Sequence, residues 1–243
     1  MKKLKGNVAL VTGAGRGIGR ACAVRLAEHG ATVFVTSRTK AELHKLAAEI
    51  KDAGGKAVAV PGDLTQQAFV EKLFAQIEKE CGGVDIVVNN AGIAPFGLAQ
   101  DLDVARFRAG LELNVVAAFA CSQQAIRLMK KNKAAGKIIN IGSVRSHWTE
   151  GGDSGAYNAS KYALRGMTES IARQLHREEN NKIAVSIVSP GIVDTTLTNP
   201  SRSPQPTWLR AETIADAVLH AAAAPDNVNV YETIVFPTTQ APW

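Results

Sequence analysis

"NVALVTGAGRGIGRACAVRLAEHG", residues 7–30, joins a short β-branched run to a glycine-rich turn and then to a helical pattern. Glycine lets the chain turn tightly after a strand and approach a pyrophosphate, whose charge then lies at the N-terminus of the next helix. An ordinary glycine-rich turn is the alternative, but the position between strand and helix is the context that dinucleotide binding requires. The predicted cofactor contacts of this turn are Gly13, Gly15, Arg16, Gly17, Ile18 and Gly19.

Further β-branched runs follow along the chain and alternate with longer helical patterns. The predicted strands are 7–12, 32–37, 56–61, 85–90, 137–142, 184–189 and 232–237. The helical patterns cover 19–30, 40–55, 66–83, 103–131, 156–178 and 211–224. This alternation is typical of βαβ units in a parallel sheet. We therefore predict one α/β domain over residues 1–243, with a doubly wound, seven-stranded parallel sheet, helices on both faces and ligands beyond the carboxyl ends of the strands.

Composition and charge limit the class of protein. The chain has 243 residues and a net charge of +6, and its basic residues are scattered, which fits an anionic cofactor better than nucleic acid. Cys22, Cys81 and Cys121 lack metal-site spacing and are odd in number for a disulfide framework. The N-terminal apolar run is too short for a signal peptide, and no stretch reaches the roughly 20 apolar residues of a membrane span. We expect a cytoplasmic protein without metal, nucleic-acid or membrane partners.

The second predicted strand ends where a dinucleotide site reads the ribose. An acid at this point binds a free 2′-hydroxyl, whereas an arginine accommodates a 2′-phosphate. The sequence there is "VTSRT", with Ser37 and Arg38 and no acid, and Arg16 adds a second cation. An arginine fork beside a hydroxyl suits a phosphate. The pattern favours NADP(H) over NAD(H); the alternative is that Arg38 is a solvated residue that opens the next helix.

"AYNASKYAL", residues 156–164, places Tyr157 and Lys161 four positions apart in a helical pattern. Residues at this spacing are neighbours on a helix surface, so a solvated pair is one interpretation. Tyrosine normally ionises near pH 10, and a neighbouring cation favours the phenolate. The pair therefore also suits proton transfer near neutral pH.

Seven motifs, in this order, carry a resemblance to a known family. They are "TGAGRGIG" (12–19), "GDLT" (62–65), "NNAG" (89–92), "LNV" (113–115), "IINIGS" (138–143), "YNASK" (157–161) and "PGIVDT" (190–195). Along almost its full length, the chain resembles the short-chain dehydrogenase/reductase family. The resemblance implies a Rossmann fold and an NAD(P)-dependent oxidoreductase.

The resemblance also implies a catalytic tetrad of Asn114, Ser143, Tyr157 and Lys161. Lys161 would bind the nicotinamide ribose and, together with the nicotinamide charge, lower the pKa of Tyr157, which exchanges a proton with the substrate oxygen. Ser143 would hydrogen-bond that oxygen, and Asn114 would anchor a water that is joined to Lys161. Further cofactor contacts that the resemblance implies are Asp63, Leu64, Asn90, Ala91, Gly92, Pro190, Gly191, Val193 and Thr195.

The chain departs from the family pattern in two places. Ser143 stands fourteen residues before Tyr157, one more than the usual interval, so Ser146 is an alternative catalytic serine. The C-terminal sequence is similar to the branch of 3-hydroxy acid dehydrogenases and small carbonyl reductases. Because family members usually pair two of their long helices across a two-fold axis, the resemblance also implies a homodimer or homotetramer.

Two loops are expected to form the substrate wall. One is the segment between Ser143 and Tyr157, and the other is residues 194–210, a proline-rich stretch that we predict to be a lid over the crevice. One hypothesis is that Arg145 or His147 binds an acidic group of the substrate. A solvated arginine is the alternative.

We therefore predict an NADPH-dependent oxidoreductase that transfers a hydride between nicotinamide and a ketone, an aldehyde or a secondary alcohol, with tyrosine as general acid/base. A 3-oxoacyl-(acyl-carrier-protein) reductase is the alternative enzyme. A third interpretation, a non-catalytic NADP-binding sensor on the same fold, is disfavoured because all four tetrad residues are present.

Overall fold

The central sheet is the frame of the protein. The computed structural model describes residues 3–149, 151–201, 203 and 205–240. Its strands are β1 (Val8–Thr12), β2 (Thr32–Thr36), β3 (Lys56–Ala59), β4 (Ile86–Asn89), β5 (Gly136–Ile141), β6 (Ile183–Pro190) and β7 (Glu232–Val235). All pairs are parallel, in the order β3-β2-β1-β4-β5-β6-β7. The predicted doubly wound fold is confirmed, with strand ends within two residues of the predicted ones.

The helices fill the connections between the strands. They are α1 (Gly17–Glu28), α2 (Lys40–Asp52), α3 (Gln67–Cys81), α4 (Val104–Leu111), α5 (Ala117–Lys131), α6 (Gly155–His176) and α7 (Ala211–Ala222). The continuous helical pattern over 103–131 is interrupted by a π turn at Glu112–Val116. At this turn, the buried side chain of Asn114 is bonded to the backbone of Ile93. The apolar pattern continues on both sides, so the sequence gives no sign of the break.

Two apolar layers hold the helices against the sheet. Ala9 and Val11 of β1 face the layer that α1, α2 and α7 cover, whereas Val8 and Leu10 face the layer under α3, α5 and α6. This alternation is the two-residue period of a strand, and burial on both faces is the rule for parallel sheets. Among the described residues, no helix is both long and apolar enough to cross a membrane.

The direction in which the sheet grows reverses at β1. The chain passes from β1 to β2 and β3 on one side, and then continues with β4 on the other side. In open α/β sheets, such a switch point leaves a crevice at the carboxyl ends of the strands, where ligands bind. The glycine turn after β1 and the residues after β4 both lie at this edge.

Candidate active site

Three adjoining cavities follow the carboxyl edge of the sheet. The first has a volume of about 340 Å³ and extends from the glycine turn to the ends of β2 and β3. The middle cavity, of about 90 Å³, reaches Tyr157 and Lys161, and the outer cavity, of about 550 Å³, lies under residues 194–210. Shared lining residues join each cavity to the next: Asn90 and Thr195 between the first and the middle, Tyr157 between the middle and the outer. The cavities therefore form one crevice.

The glycine turn is fixed by polar groups from the end of β4. Thr12 Oγ1 accepts hydrogen bonds from the backbone N–H groups of Asn90 and Ala91, at 2.9 and 3.0 Å. Asn90 Nδ2 in turn donates to the carbonyl oxygens of Thr12 and Gly13, at 2.9 and 3.1 Å. These bonds hold the start of α1 against β4. The side chain of Asn90 therefore shapes the turn, in addition to lining the first and middle cavities.

Two glycines of this turn have no room for a side chain. Gly13 has a φ of +63°, and a Cβ at this position would lie 2.8 Å from Ala91 Cα. A Cβ on Gly19 would overlap Asn90 Nδ2 and the carbonyl oxygen of Gly13. The close approach of α1 to the sheet therefore requires glycine at both positions, and it leaves the N-terminus of α1 facing the cavity.

The side chains expected at a cofactor ribose lie together at one end of the first cavity, next to the carboxyl end of β2. We call this part of the cavity the ribose end. Ser37, Arg38 and Arg16 line it, as does Glu42 of α2, which the sequence analysis did not single out. Ser37 Oγ is buried and has no hydrogen-bond partner. Arg38 is exposed, and Arg16 Nη1 lies 3.8 Å from Glu42 Oε1. The cavity end thus combines two cations, one carboxylate and one unsatisfied hydroxyl.

The other predicted contacts line the same cavity. Asp63 Oδ1 accepts from the backbone N and the Oγ1 of Thr65, at 3.0 and 2.9 Å, which forms an Asx turn before α3. Leu64 is buried beside it. The residues that line the first cavity include Asp63, Leu64, Asn90, Ala91, Gly92, Ile18 and Thr195. Pro190, Gly191 and Val193 line the middle cavity instead.

Lys161 lies buried at the floor of the middle cavity. Its Nζ donates to the carbonyl oxygen of Ile141, at 2.8 Å, and lies 5.7 Å from the centre of the Tyr157 ring. Burial lowers the pKa of Lys161 to about 8. The last residue of β5 therefore positions the ammonium group next to the phenol.

Tyr157 is the second ionisable side chain that lines the middle cavity. Burial raises the pKa of Tyr157, and a hydrogen bond with Ser143 and the positive charge of Arg145 offset part of that rise. The phenol is therefore protonated at neutral pH.

The two candidate serines occupy different places. Ser143, directly after Gly142, lines both the middle and outer cavities. Ser146 is fully buried, and its Oγ accepts from the backbone N–H of Ser143 at 3.3 Å. Ser143 Oγ accepts from Arg145 N at 3.1 Å, so the two serines cap a short 3₁₀ turn. Of the two, Ser143 is the serine that faces Tyr157.

Asn114 is tied into the loop after β4. Its Oδ1 accepts from Ile93 N, and its Nδ2 donates to Ile93 O and to Ser160 Oγ, each at 2.9 Å. Both N–H bonds of the amide are therefore used.

The outer cavity is lined by described residues of the segment 194–210 and by residues of the C-terminal segment. Residues 194–210 are anchored at their base by Asp194 N, which donates to Leu209 O at 2.8 Å, and residues 202 and 204 lie outside the described residues. Gln240, which the sequence analysis missed, accepts from Ile192 N at 2.8 Å. The lining side chains include Phe96, Val144, Arg145, Leu197, Thr198, Thr207, Trp208, Thr239 and Gln240.

Arg145 and His147 lie apart. Arg145 lines the outer cavity and is its one charged side chain among the described residues. His147 is turned away from it: Nε2 lies 2.9 Å from Glu232 Oε1 on β7, and the ring packs against Trp148, with centroids 5.1 Å apart. Burial lowers the pKa of His147, and the negative charge of Glu232 offsets part of that decrease.

The chemistry of these residues fits a nicotinamide dinucleotide. The unsatisfied Ser37 Oγ and the two arginines suit the ribose and its phosphate, and the glycine turn leaves the helix N-terminus open to a pyrophosphate. Within the described residues, no group of three or more His, Cys, Asp or Glu side chains could hold a metal ion.

Comparison with known proteins agrees with this arrangement. A family model described as short chain dehydrogenase matches residues 7–206. Dehydrogenase/reductase SDR family member 11 of Gallus gallus is 34% identical over 254 residues, covering 99% of each chain. Farnesol dehydrogenase of Aedes aegypti is 34% identical over 241 residues, covering 98% of each chain.

A solved structure extends the comparison to the fold. It is a metagenomic short-chain oxidoreductase in complex with NADP, with a TM-score of 0.85 and 31% identity, covering 98% of this chain and 100% of that chain. Both the family and the enzyme class expected from the motifs are therefore confirmed. The chain belongs to the short-chain dehydrogenase family of NAD(P)-dependent dehydrogenases and reductases.

Proposed function

We propose that the protein is an NADPH-dependent oxidoreductase that interconverts a ketone or aldehyde with the corresponding alcohol. The observation that carries this proposal is that Ser143 and Tyr157 line both the middle and the outer cavities. A substrate oxygen in the outer cavity would then meet the phenol beside the cofactor cavity. A bound nicotinamide would supply or accept the hydride.

Tyr157 acts as the general acid in the reducing direction. Because burial raises its pKa, the phenol carries its proton at neutral pH and donates it to the substrate oxygen as negative charge develops there. In the oxidising direction, the phenolate must form first, and the hydrogen bond with Ser143 and the charge of Arg145 favour it.

Three other residues support this proton transfer. Ser143 donates a hydrogen bond to the substrate oxygen and so stabilises the developing charge. Lys161, held by Ile141 O, binds a hydroxyl of the nicotinamide ribose and keeps a cation beside the phenol. Asn114 anchors the loop at Ile93, and its Oδ1 accepts from a water that joins Lys161 to solvent in a proton relay.

NADP(H) is the preferred cofactor in this proposal. The unsatisfied Ser37 Oγ and the guanidinium groups of Arg38 and Arg16 lie at the same cavity end, where they suit a 2′-phosphate. The similar metagenomic oxidoreductase was solved with NADP. NAD(H) would bind the same crevice without the phosphate contacts.

We further propose that Arg145 binds an acidic group of the substrate. Arg145 is the cation of the outer cavity, while Phe96, Leu197 and Trp208 give that cavity an apolar wall. His147 is paired with Glu232 and takes no part in the proposal. An Arg145→Ala variant should raise KM for acidic ketones about tenfold and leave KM for neutral ketones unchanged. Equal KM values for both classes would contradict this role.

The protein is also proposed to act as a cytoplasmic homo-oligomer. Val116 and Phe119 on the α5 side and Tyr162 on α6 are large side chains with exposed fractions of 48%, 45% and 40%. Light scattering on the purified protein would measure whether a dimer or tetramer forms, and a monomer would contradict the proposed homo-oligomer.

The cysteines bear on the proposed cytoplasmic location. Burial raises the pKa of the free thiols of Cys22 and Cys121 to about 12, so neither is poised for disulfide chemistry.

Turnover with a substrate panel tests the proposed function. The purified protein would be assayed for NADPH and NADH oxidation with acidic ketones, neutral ketones, aldehydes and 3-oxoacyl thioesters, with Tyr157→Phe as the control. We expect turnover of free carbonyl compounds that is lost in the variant. Turnover confined to thioesters of an acyl carrier protein would favour the acyl reductase alternative. Tight NADPH binding without turnover of any carbonyl would favour a sensor.

A further inference from the structure

The carboxylate of Glu42 lies directly over the glycine turn. Glu42 is in the first turn of α2, and its Oε1 lies 3.8 Å from Arg16 Nη1. A Cβ built on Gly15 would overlap Glu42 Oε2 and would lie 3.3 Å from Ser37 Oγ. Glu42 and Ser37 thus reach the same point of the turn from α2 and β2. No acid stands immediately after β2, where Ser37 and Arg38 lie, yet the first turn of α2 brings the Glu42 carboxylate to that place.

Stability gives little reason for this arrangement. The side chains of Arg16 and Glu42 are 69% and 35% exposed. Ion pairs in such positions contribute little to the free energy of unfolding, because water screens them. An acid near a helix N-terminus makes a small favourable contribution to the free energy of unfolding, but this contribution does not require contact with the glycine turn.

We propose that Glu42 sets the cofactor selectivity of this protein. The inference rests on the proposed binding of a nicotinamide dinucleotide in the first cavity. Next to Ser37, a carboxylate can accept a hydrogen bond from a free 2′-hydroxyl, and it repels a 2′-phosphate that Arg16 and Arg38 attract. The cavity end therefore carries contacts for both NADH and NADPH, and Glu42 limits the preference for NADPH.

The effect of removing the charge follows from this balance. Glu42→Gln keeps the size of the side chain and removes its negative charge. The variant should bind NADPH roughly five- to tenfold more tightly, because the repulsion is gone and Arg16 is released for the phosphate. It should bind NADH a few-fold more weakly, because an amide accepts the 2′-hydroxyl bond less strongly than a carboxylate. The gain for NADPH should shrink at high salt.

Titration calorimetry with NADPH and NADH tests the proposal in the wild type, Glu42→Gln and Glu49→Gln. Glu49 is a matched control, because it lies on the same helix and pairs with an arginine, Arg20, but does not line the cavity. We expect the ratio of the two Kd values to change in Glu42→Gln alone. Equal shifts for both cofactors in Glu42→Gln, or the same change in Glu49→Gln, would overturn the inference while leaving the proposed function intact. A wild-type protein that binds neither cofactor would overturn both.

Discussion

At the middle cavity, Lys161 and Asn114 are buried and bonded to the backbone, whereas Arg16 and Arg38 at the ribose end of the first cavity are exposed. Lys161 and Asn114 are 7% and 2% exposed, and each is bonded to a backbone carbonyl at 2.8 or 2.9 Å. Arg16 is 69% exposed, and its guanidinium forms an ion pair with Glu42 at 3.8 Å. Hydrogen bonds to the backbone hold the first two side chains, whereas the arginines extend toward solvent. Substitutions at the two ends should therefore have different kinds of effect.

The largest expected effect is the loss of the proton donor. Tyr157→Phe should lower kcat by about 10²- to 10⁴-fold, because the substrate oxygen loses its general acid. The Kd for NADPH, measured by fluorescence titration, should stay within about twofold. Tyr162→Phe is the control, since this tyrosine lies on the same helix and its hydroxyl bonds to the carbonyl oxygen of His147. An equal fall in kcat in both variants would show that the effect is not specific to the site.

Removing the buried amide should cost stability. Asn114→Ala leaves Ile93 N, Ile93 O and Ser160 Oγ without their bonds to the side chain. We expect the free energy of unfolding to fall by about 3 kcal/mol in urea denaturation. The exposed Asn132, which donates to Gly82 O, is the control, and Asn132→Ala should cost less than about 1 kcal/mol. Similar losses in both variants would show that the cost does not depend on the burial of the Asn114 amide.

The buried ammonium group should make stability depend on pH. Burial lowers the pKa of Lys161 from 10.5 to about 8, so the folded protein binds fewer protons than the unfolded chain between these values. The free energy of unfolding of the ligand-free wild type should therefore rise with pH in this window, by up to about 1.4 kcal/mol per unit relative to Lys161→Met. Urea denaturation from pH 7 to 10.5 measures the difference. A difference that does not change with pH would contradict a depressed pKa.

The smallest expected change is at the exposed end. Arg38→Ala should weaken NADPH binding about tenfold, which is about 1.4 kcal/mol, and leave NADH binding within about twofold. The free energy of unfolding should stay within about 0.5 kcal/mol, because Arg38 is exposed. Arg210→Ala, at the lid end and 82% exposed, is the matched control for the loss of one positive charge. Equal weakening for both cofactors in Arg38→Ala would assign Arg38 to general charge attraction.

The sequence predicted the glycine turn and the order of strands and helices that form the crevice, because both can be recognised from residues that are close together in the chain. The glycine turn follows directly from the residues after β1, and the order of strands and helices follows from the alternation of two periods. The Tyr157 and Lys161 pair is four residues apart on one helix, so its proximity needs no tertiary information.

Contacts between distant segments could not be predicted in this way. Gln240 reaches Ile192 across 48 residues, because β7 ends beside β6. Glu42 would be assigned to the solvent face of α2 by its charge, and its position over Gly15 depends on how α2 leaves β2. His147 and Arg145 are two residues apart in one loop, at the turn that Ser143 caps. Arg145 lines the outer cavity, whereas His147 lies against Glu232 of β7.

The two ends of the crevice are best compared in one measurement, a double-mutant cycle of Tyr157→Phe and Arg38→Ala. The Kd for NADPH and kcat for the best panel substrate would be determined for the wild type, both single variants and the double variant. The two residues line different cavities, so we predict that Arg38→Ala changes Kd alone, that Tyr157→Phe changes kcat alone, and that the free-energy effects add within about 0.5 kcal/mol. Undiminished kcat in Tyr157→Phe, or strong coupling between the two changes, would contradict the account.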